Sequence, residues 1–156
     1  RFKKEGKNIK LLLVGRFETE LDPLNAGNED FLRTNPDVCF VGYQTDVRPF
    51  FVAADVLVFP SYREGFPNVV LQAGAMGIPS IVTNINGCNE IIKNNLNGKI
   101  FPPKDEDALF REMDWCIDNK DSINMMALQA RKMIVDRYRQ EEVWEATLKE
   151  YEKLEK

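Results

Sequence analysis

The chain has 156 residues and 25 acidic against 21 basic side chains, a formal net charge of −4, which excludes a protein that gains its affinity by neutralising nucleic-acid phosphates. It contains no histidine, so a Ser-His triad, an imidazole proton shuttle and a histidine metal site are all excluded, and chemistry falls to carboxylates, amides, cations and the backbone. Cys39, Cys88 and Cys116 are odd in number and widely spaced, which supports neither a disulfide framework nor a metal cluster and predicts buried free thiols in a reducing cytoplasm.

Short β-branched and aromatic runs alternate with longer segments of helical period, the pattern of an α/β fold with a doubly wound, mostly parallel sheet. In chain order, strands are expected at Ile9 to Val14, Val38 to Val41, Val56 to Phe59, Ser80 to Val82 and Lys99 to Phe101. Nearly all of these positions are apolar, as in strands buried on both faces. Helices are expected between them at Asp22 to Arg33, Asp46 to Ala54, Asn68 to Met76 and Gly87 to Lys93. After Pro102-Pro103 a helical tail follows at Asp105 to Asp118, Asp121 to Tyr138 and Glu141 to Leu154, with Ile123, Ala127, Ala130 and Ile134 on one stripe. Trp144, Leu148 and Tyr151 are expected to pack the last helix on its own domain, the other reading being a docking face for a missing partner domain. No apolar run reaches membrane-spanning length, and Arg1-Phe2-Lys3-Lys4 opens no signal-type segment. One domain is expected, excised from a longer protein because the chain begins at Arg1.

Open parallel sheets bind ligands beyond the carboxyl ends of their strands. The loops that matter are therefore Gly15-Arg16-Phe17-Glu18, Gly42 to Asp46, Pro60 to Asn68 and Thr83 to Gly87. The third carries the clearest chemistry. Its Glu64-Gly65 turn leads through Phe66 to Pro67-Asn68, which opens a helix continuing Val69-Val70-Leu71-Gln72. Proline is well placed at a first helical turn, where its missing N–H would have had no partner. Unpaired amides around Asn68 to Val70, with the helix dipole, predict a diphosphate site. Gly65 lets the backbone approach a ligand, and the Glu64 carboxylate can accept from two sugar hydroxyls. Glu64 and Gln72 are expected roughly 10 Å apart along the helix, near the span between the two sugars of a nucleotide diphosphosugar.

The run PSYREGFPNVVLQAGAMGIPSIVTNINGCNEII resembles the donor-site signature of the family-four retaining glycosyltransferases of GT-B fold, the group 1 enzymes that build capsular and surface polysaccharides. LLLVGRFE, FVGYQTDVRPFFVAADVLVFPS and NGKIFPP follow in family order, so the likeness covers most of residues 9 to 138. The resemblance implies that the chain is the nucleotide-sugar-binding half of such an enzyme, inactive alone, with the acceptor-binding N-terminal half absent. It implies a donor that is a nucleoside-diphosphate sugar, a UDP-sugar above others. A hexosyl or N-acetylhexosaminyl group would pass with retention to a glycan or lipid-linked acceptor. It also implies that Glu64 holds the donor hexose and that the position of Gln72, usually glutamate, meets the ribose diol. Backbone at Tyr43 and Gln44 would meet the base, and Gly15 and Arg16 would line the nucleotide pocket. No metal and no cofactor are expected, because the family meets the leaving diphosphate with cations and helix dipoles. The implied location is cytoplasmic, with any attachment to the inner membrane left to the missing half.

Plainer readings stand beside these. Asn68 reads also as an N-cap, Gln72 as a buried amide, Arg16 as a solvated cation and Asp55 as a buried structural carboxylate. Asn86-Gly87 reads as a turn with Glu90 in the next helix's first turn, and Asp105-Glu106-Asp107 as the acidic start of a helix. Two rival functions share the fold: an inactive nucleotide-sugar scaffold, suggested by Gln72, and the half of a nucleotide-sugar epimerase. The absence of a Gly-x-Gly-x-x-Gly turn after Val14 argues against an oxidoreductase dinucleotide domain.

Overall fold

A computed structural model of the chain describes residues 1–17 and 23–154. Glu18 of the first loop and Asp22, the expected start of the first helix, lie outside the described residues. The chain divides into two compact units, Arg1–Ala54 and Asp55–Lys156.

In the first unit β1 (Leu11–Val14) and β2 (Val38–Gly42) form a parallel two-stranded sheet. They are joined through α1 (Ala26–Thr34), and α2 (Arg48–Val52) follows. Asn25 caps α1 by accepting from the Asn28 amide at 2.8 Å, which satisfies one donor that the helix cannot. Leu13 pairs with Phe40, and the register then slips so that Val14 faces Gly42, whose φ of 69° suits glycine. Phe17 stacks on Phe40 with ring centroids 4.7 Å apart. Cys39 is exposed, against the expectation of a buried thiol, while the other residues of β2 are half-buried.

In the second unit β3 (Leu57–Phe59), β4 (Ser80–Thr83) and β5 (Gly98–Phe101) form a parallel sheet in the order β3-β4-β5. The connections are α3 (Asn68–Ala75) and α4 (Cys88–Ile91), and the tail is α5 (Glu106–Asp118), α6 (Lys120–Arg137) and α7 (Gln140–Leu154). Among the described residues, the five strands and seven helices fall where the sequence pattern puts them, with ends shifted by a few residues, and each strand pair is parallel. β4 is central and buried along its whole length. Val82 packs with Val70, Ile91 and Ile134 on one side, and its neighbour Ile81 packs with Phe101, Ala108 and Met126 on the other. Strands covered on both faces produce this alternation. β3 is only half-buried.

On α6, Ile123, Ala130 and Ile134 are buried and Ala127 half-buried, so the expected stripe is present. Gly74 of α3 meets it so closely that a Cβ there would lie 2.7 Å from Ile134 Cγ1. The expectation for α7 fails: Trp144, Leu148 and Tyr151 are 60, 59 and 64% exposed. No residue of α7 is buried, so helical period alone did not specify a partner surface. Asp55 is exposed as well, since it precedes β3 at the surface. A buried cation went unforeseen. The ammonium of Lys99 on β5 is held by Glu112 at 3.1 Å and Asn95 at 2.7 Å, and lies 3.9 Å from the Trp115 ring centroid, which compensates its desolvation.

Burial pushes the thiols of Cys88 and Cys116 up to about 11, so both stay protonated and unreactive at pH 8. Alkylation of the native chain at that pH is expected to label Cys39 alone, and all three thiols after denaturation. Labelling of Cys88 at the same rate as Cys39 would contradict the packing around α4.

No helix among the described residues is long and apolar enough to cross a membrane.

Candidate functional site

The carboxyl end of β3 leads into the loop that presents Glu64. This side chain is half-buried, and the Ser61 hydroxyl donates to its Oε1 at 2.7 Å. A carboxylate fixed through one oxygen keeps lone pairs for ligand hydroxyls, and its rotamer is partly settled before any ligand arrives. Gly65 follows, exposed, with nothing within 4 Å of where a Cβ would stand. The backbone there is open to close approach.

Pro67 is buried and takes the N-cap position of α3 with extended φ and ψ of −76° and 105°. Its carbonyl accepts from the amides of Val70 and Leu71 at 3.1 and 3.3 Å. Asn68 is therefore the first helical residue and not the cap, and no side chain caps the helix. The amides of Asn68 and Val69 have no acceptor within the helix, which leaves the positive end of the dipole available to an anion. Val70 is fully buried and its amide is taken by the Pro67 carbonyl, so only the Asn68 and Val69 amides can face a ligand, Val69 with its side chain partly buried. Asn68 and Gln72 are both exposed, four positions apart on one face. The buried-amide reading of Gln72 is thereby overturned.

The turn after β4 underlies this loop. Gly87 has φ 76° and ψ −52°, and a Cβ on it would meet the Gly65 carbonyl oxygen at 2.4 Å and Pro67 Cδ at 3.0 Å. Its N–H donates to Glu90 Oε1 at 3.3 Å, so Glu90 closes the first turn of α4 as the turn reading expected. Cys88, next along, is fully buried and close enough to Glu64 for that carboxylate to add to the rise in its pKa that desolvation mainly causes.

Two further residues complete the loop's support. Phe66, 44% exposed, meets Tyr138 edge to face with ring centroids 5.4 Å apart. The Tyr138 hydroxyl donates to the Glu90 carbonyl at 3.3 Å. Sequence reading missed Tyr138 as a site residue, although its place four positions beyond Ile134 continues the buried stripe of α6.

The first unit gathers the other expected residues. Gly15 has φ 138°, and its N–H donates to the Gly42 carbonyl at 2.9 Å. The Arg16 guanidinium lies 4.5 Å from the Tyr43 ring centroid, a cation–π contact that joins the loops after β1 and β2. Arg16 is exposed, yet it is more than a loose solvated cation. The Gln44 amide donates to the Val41 carbonyl at 2.8 Å and so closes its own turn. In the next turn Asp46 receives both the side chain and the N–H of Arg48, which hold its carboxyl down to about 2. The structure thus brings Gly15, Arg16, Tyr43 and Gln44 together in one unit, and Glu64 through Gln72 together in the other.

A family model described as glycosyl transferases group 1 matches residues 1–119. The chain is 30% identical over 141 residues to the capsular polysaccharide biosynthesis glycosyltransferase CapM of Staphylococcus aureus, a match covering 90% of this chain and 37% of that protein. It is 35% identical over 96 residues to the UDP-Gal:alpha-D-GlcNAc-diphosphoundecaprenol alpha-1,3-galactosyltransferase of Escherichia coli, covering 62% of this chain and 24% of that one. The crystal structure of Anabaena Alr3699/HepE in complex with UDP shares the fold, with a TM-score of 0.79 at 21% identity over 90% of this chain and 41% of that one. The chain spans well under half the length of each of these proteins. Parallel sheets with helical crossovers, a helical C-terminal segment and GT-B structural neighbours bear out the expected fold. The chain belongs to the glycosyl transferases group 1 family.

Proposed function

We propose that this chain holds a nucleoside-diphosphate sugar, a UDP-sugar above others, for a glycosyltransferase whose acceptor is bound by a separate half of the protein. The observation that carries the reading is the Ser61-braced Glu64 carboxylate at the mouth of α3, one turn before amides that lack helical partners. Pyranose hydroxyls would meet the carboxylate, and the diphosphate would meet the Asn68 and Val69 amides. The relative from E. coli is named for a UDP-Gal donor, and HepE was crystallised with UDP; both names support a uridine nucleotide.

In transfer, the bond between the anomeric carbon and the diphosphate oxygen breaks, and an acceptor hydroxyl oxygen bonds to that carbon on the same face. The electron pair leaves with the diphosphate, where the α3 amides and dipole stabilise it, and the acceptor proton passes to the leaving oxygen. No metal is required in this scheme. The acceptor is a glycan or lipid-linked sugar, and the transferred group a hexose or N-acetylhexosamine. Gln72 is exposed and free to hydrogen-bond a ribose diol, at a cost of ~1 kcal/mol against the usual carboxylate.

Amide-resolved NMR titration of the chain with UMP, UDP and UDP-glucose tests this reading. Affinity is expected to rise in that order as diphosphate and then sugar are added. A scaffold or an epimerase half that binds the same donor would differ in turnover by the whole protein, where this reading requires glycosyl transfer to an acceptor.

A further inference from the structure

Tyr138 closes α6, its N–H donating to the Ile134 carbonyl at 2.9 Å, and the chain beyond it runs into α7, which buries nothing. Its side chain reaches both loops of the candidate site at once. The ring meets Phe66, which stands between the Glu64-Gly65 turn and the start of α3. The hydroxyl ties the Glu90 carbonyl of α4, whose preceding turn at Gly87 leaves no room for a Cβ against the Gly65 carbonyl. The backbone of the ring's support is fixed in turn, because Ile134, one turn earlier, is buried against Gly74 of α3 and packs with Val70. One residue at the end of α6 thus touches both the loop after Glu64 and α4, and it does so with two separable groups, a ring edge and a hydroxyl.

We propose that Tyr138 is a positioning residue that holds the Glu64–Pro67 loop and the Gly87–Glu90 turn at the spacing in which Glu64 grips the sugar of the donor. The sugar-grip half of this statement rests on the function proposed above, while the bracing half stands on geometry alone. Phe66 is 44% exposed, and the Tyr138 ring packs against it edge to face. Loss of the ring therefore frees the loop side, and loss of the hydroxyl alone frees the α4 side.

Hydrogen exchange and binding, measured on the same variants of the whole chain, test the proposal. In Tyr138→Leu, exchange is expected to quicken by about threefold to tenfold at the Val70 and Leu71 amides, which donate to Pro67, and at Ile91 and Ile92 at the end of α4, which donate to Gly87 and Cys88. In Tyr138→Phe the rise is expected at Ile91 and Ile92 only. Amides of β5 and α5 are expected to keep their wild-type rates in both. Exchange unchanged at Val70 and Leu71 in Tyr138→Leu, or raised equally through β5 and α5, would overturn the bracing role. In the binding arm, Tyr138→Leu is expected to weaken UDP-glucose by about threefold to tenfold and UDP, which meets only the first turn of α3, by a smaller factor. Equal weakening of both would overturn the sugar-positioning role. A wild-type chain that binds neither ligand would sink the proposed function and the sugar-positioning role with it, while the exchange arm still decides the bracing on its own.

Discussion

Gly87→Ala is expected to destabilise the chain by about 3 kcal/mol, combining a φ of 76° at a residue with a Cβ and a clash with fixed backbone. The clash is specific: the new Cβ would stand 2.4 Å from the Gly65 carbonyl oxygen and 3.0 Å from Pro67 Cδ. Neither atom belongs to a flexible side-chain end, so relief requires the Glu64–Pro67 loop to move away from α4. For a chain of this size the loss corresponds to a fall in Tm of roughly 6 to 12 °C by calorimetry. Gly65→Ala is the matched control, because nothing lies within 4 Å of its Cβ and its φ is not in the left-handed range. Its stability is expected to stay within about 0.5 kcal/mol of wild type. A Gly87→Ala protein as stable as the Gly65→Ala protein would show that the two loops are not packed as described.

Glu64→Ala carries the largest expected effect on binding. Two hydrogen bonds from sugar hydroxyls to a carboxylate, each worth about 1.5 kcal/mol or more, correspond to a loss of roughly 100-fold in affinity for UDP-glucose. UDP itself is expected to change by less than about twofold, since the α3 amides that meet the diphosphate are untouched. Glu64→Gln keeps an acceptor without the charge and is expected to fall between the two. Stability changes little, because the side chain is half-buried and held by the Ser61 hydroxyl at the surface of the loop. An internal check comes from Cys88, whose pKa the Glu64 carboxylate helps to raise. Removing the charge is expected to lower that pKa, with burial keeping it above the ordinary thiol value. Equal losses for UDP and UDP-glucose would contradict the role given to Glu64.

Period and composition revealed most of the fold, and the reasons are local. β4 reads Ser80-Ile81-Val82-Thr83 and is buried on both faces, so its apolar run has one physical interpretation. The start of α3 was legible because proline disfavours continued structure before it and tolerates the first turn after it. Asn68 was misread as a candidate cap because its side chain suits that place, whereas the Pro67 carbonyl closes the turn. The stripe on α7 misled for the opposite reason. Trp144, Leu148 and Tyr151 recur at helical spacing, but period says only that one face is apolar and nothing about what covers it. Cys39 shows the same limit in a strand, where a thiol in an apolar run is exposed. In the candidate site, Glu64, Gly65 and Pro67 were legible because each has its own backbone or charge reason to be in a strand-to-helix turn. Tyr138 was not, since its contact with Phe66 joins residues 72 positions apart in sequence, too distant for any local pattern to report.

The central claim is that a diphosphate lies against the first-turn amides of α3 while a pyranose lies against Glu64. Residue-by-residue NMR of the isotope-labelled chain tests it most directly. UDP is predicted to move the amide resonances of Asn68, Val69 and Val70, and UDP-glucose to move those of Glu64, Gly65 and Phe66 in addition. Shifts confined to other segments, with residues 64 to 70 silent for both ligands, would contradict the account.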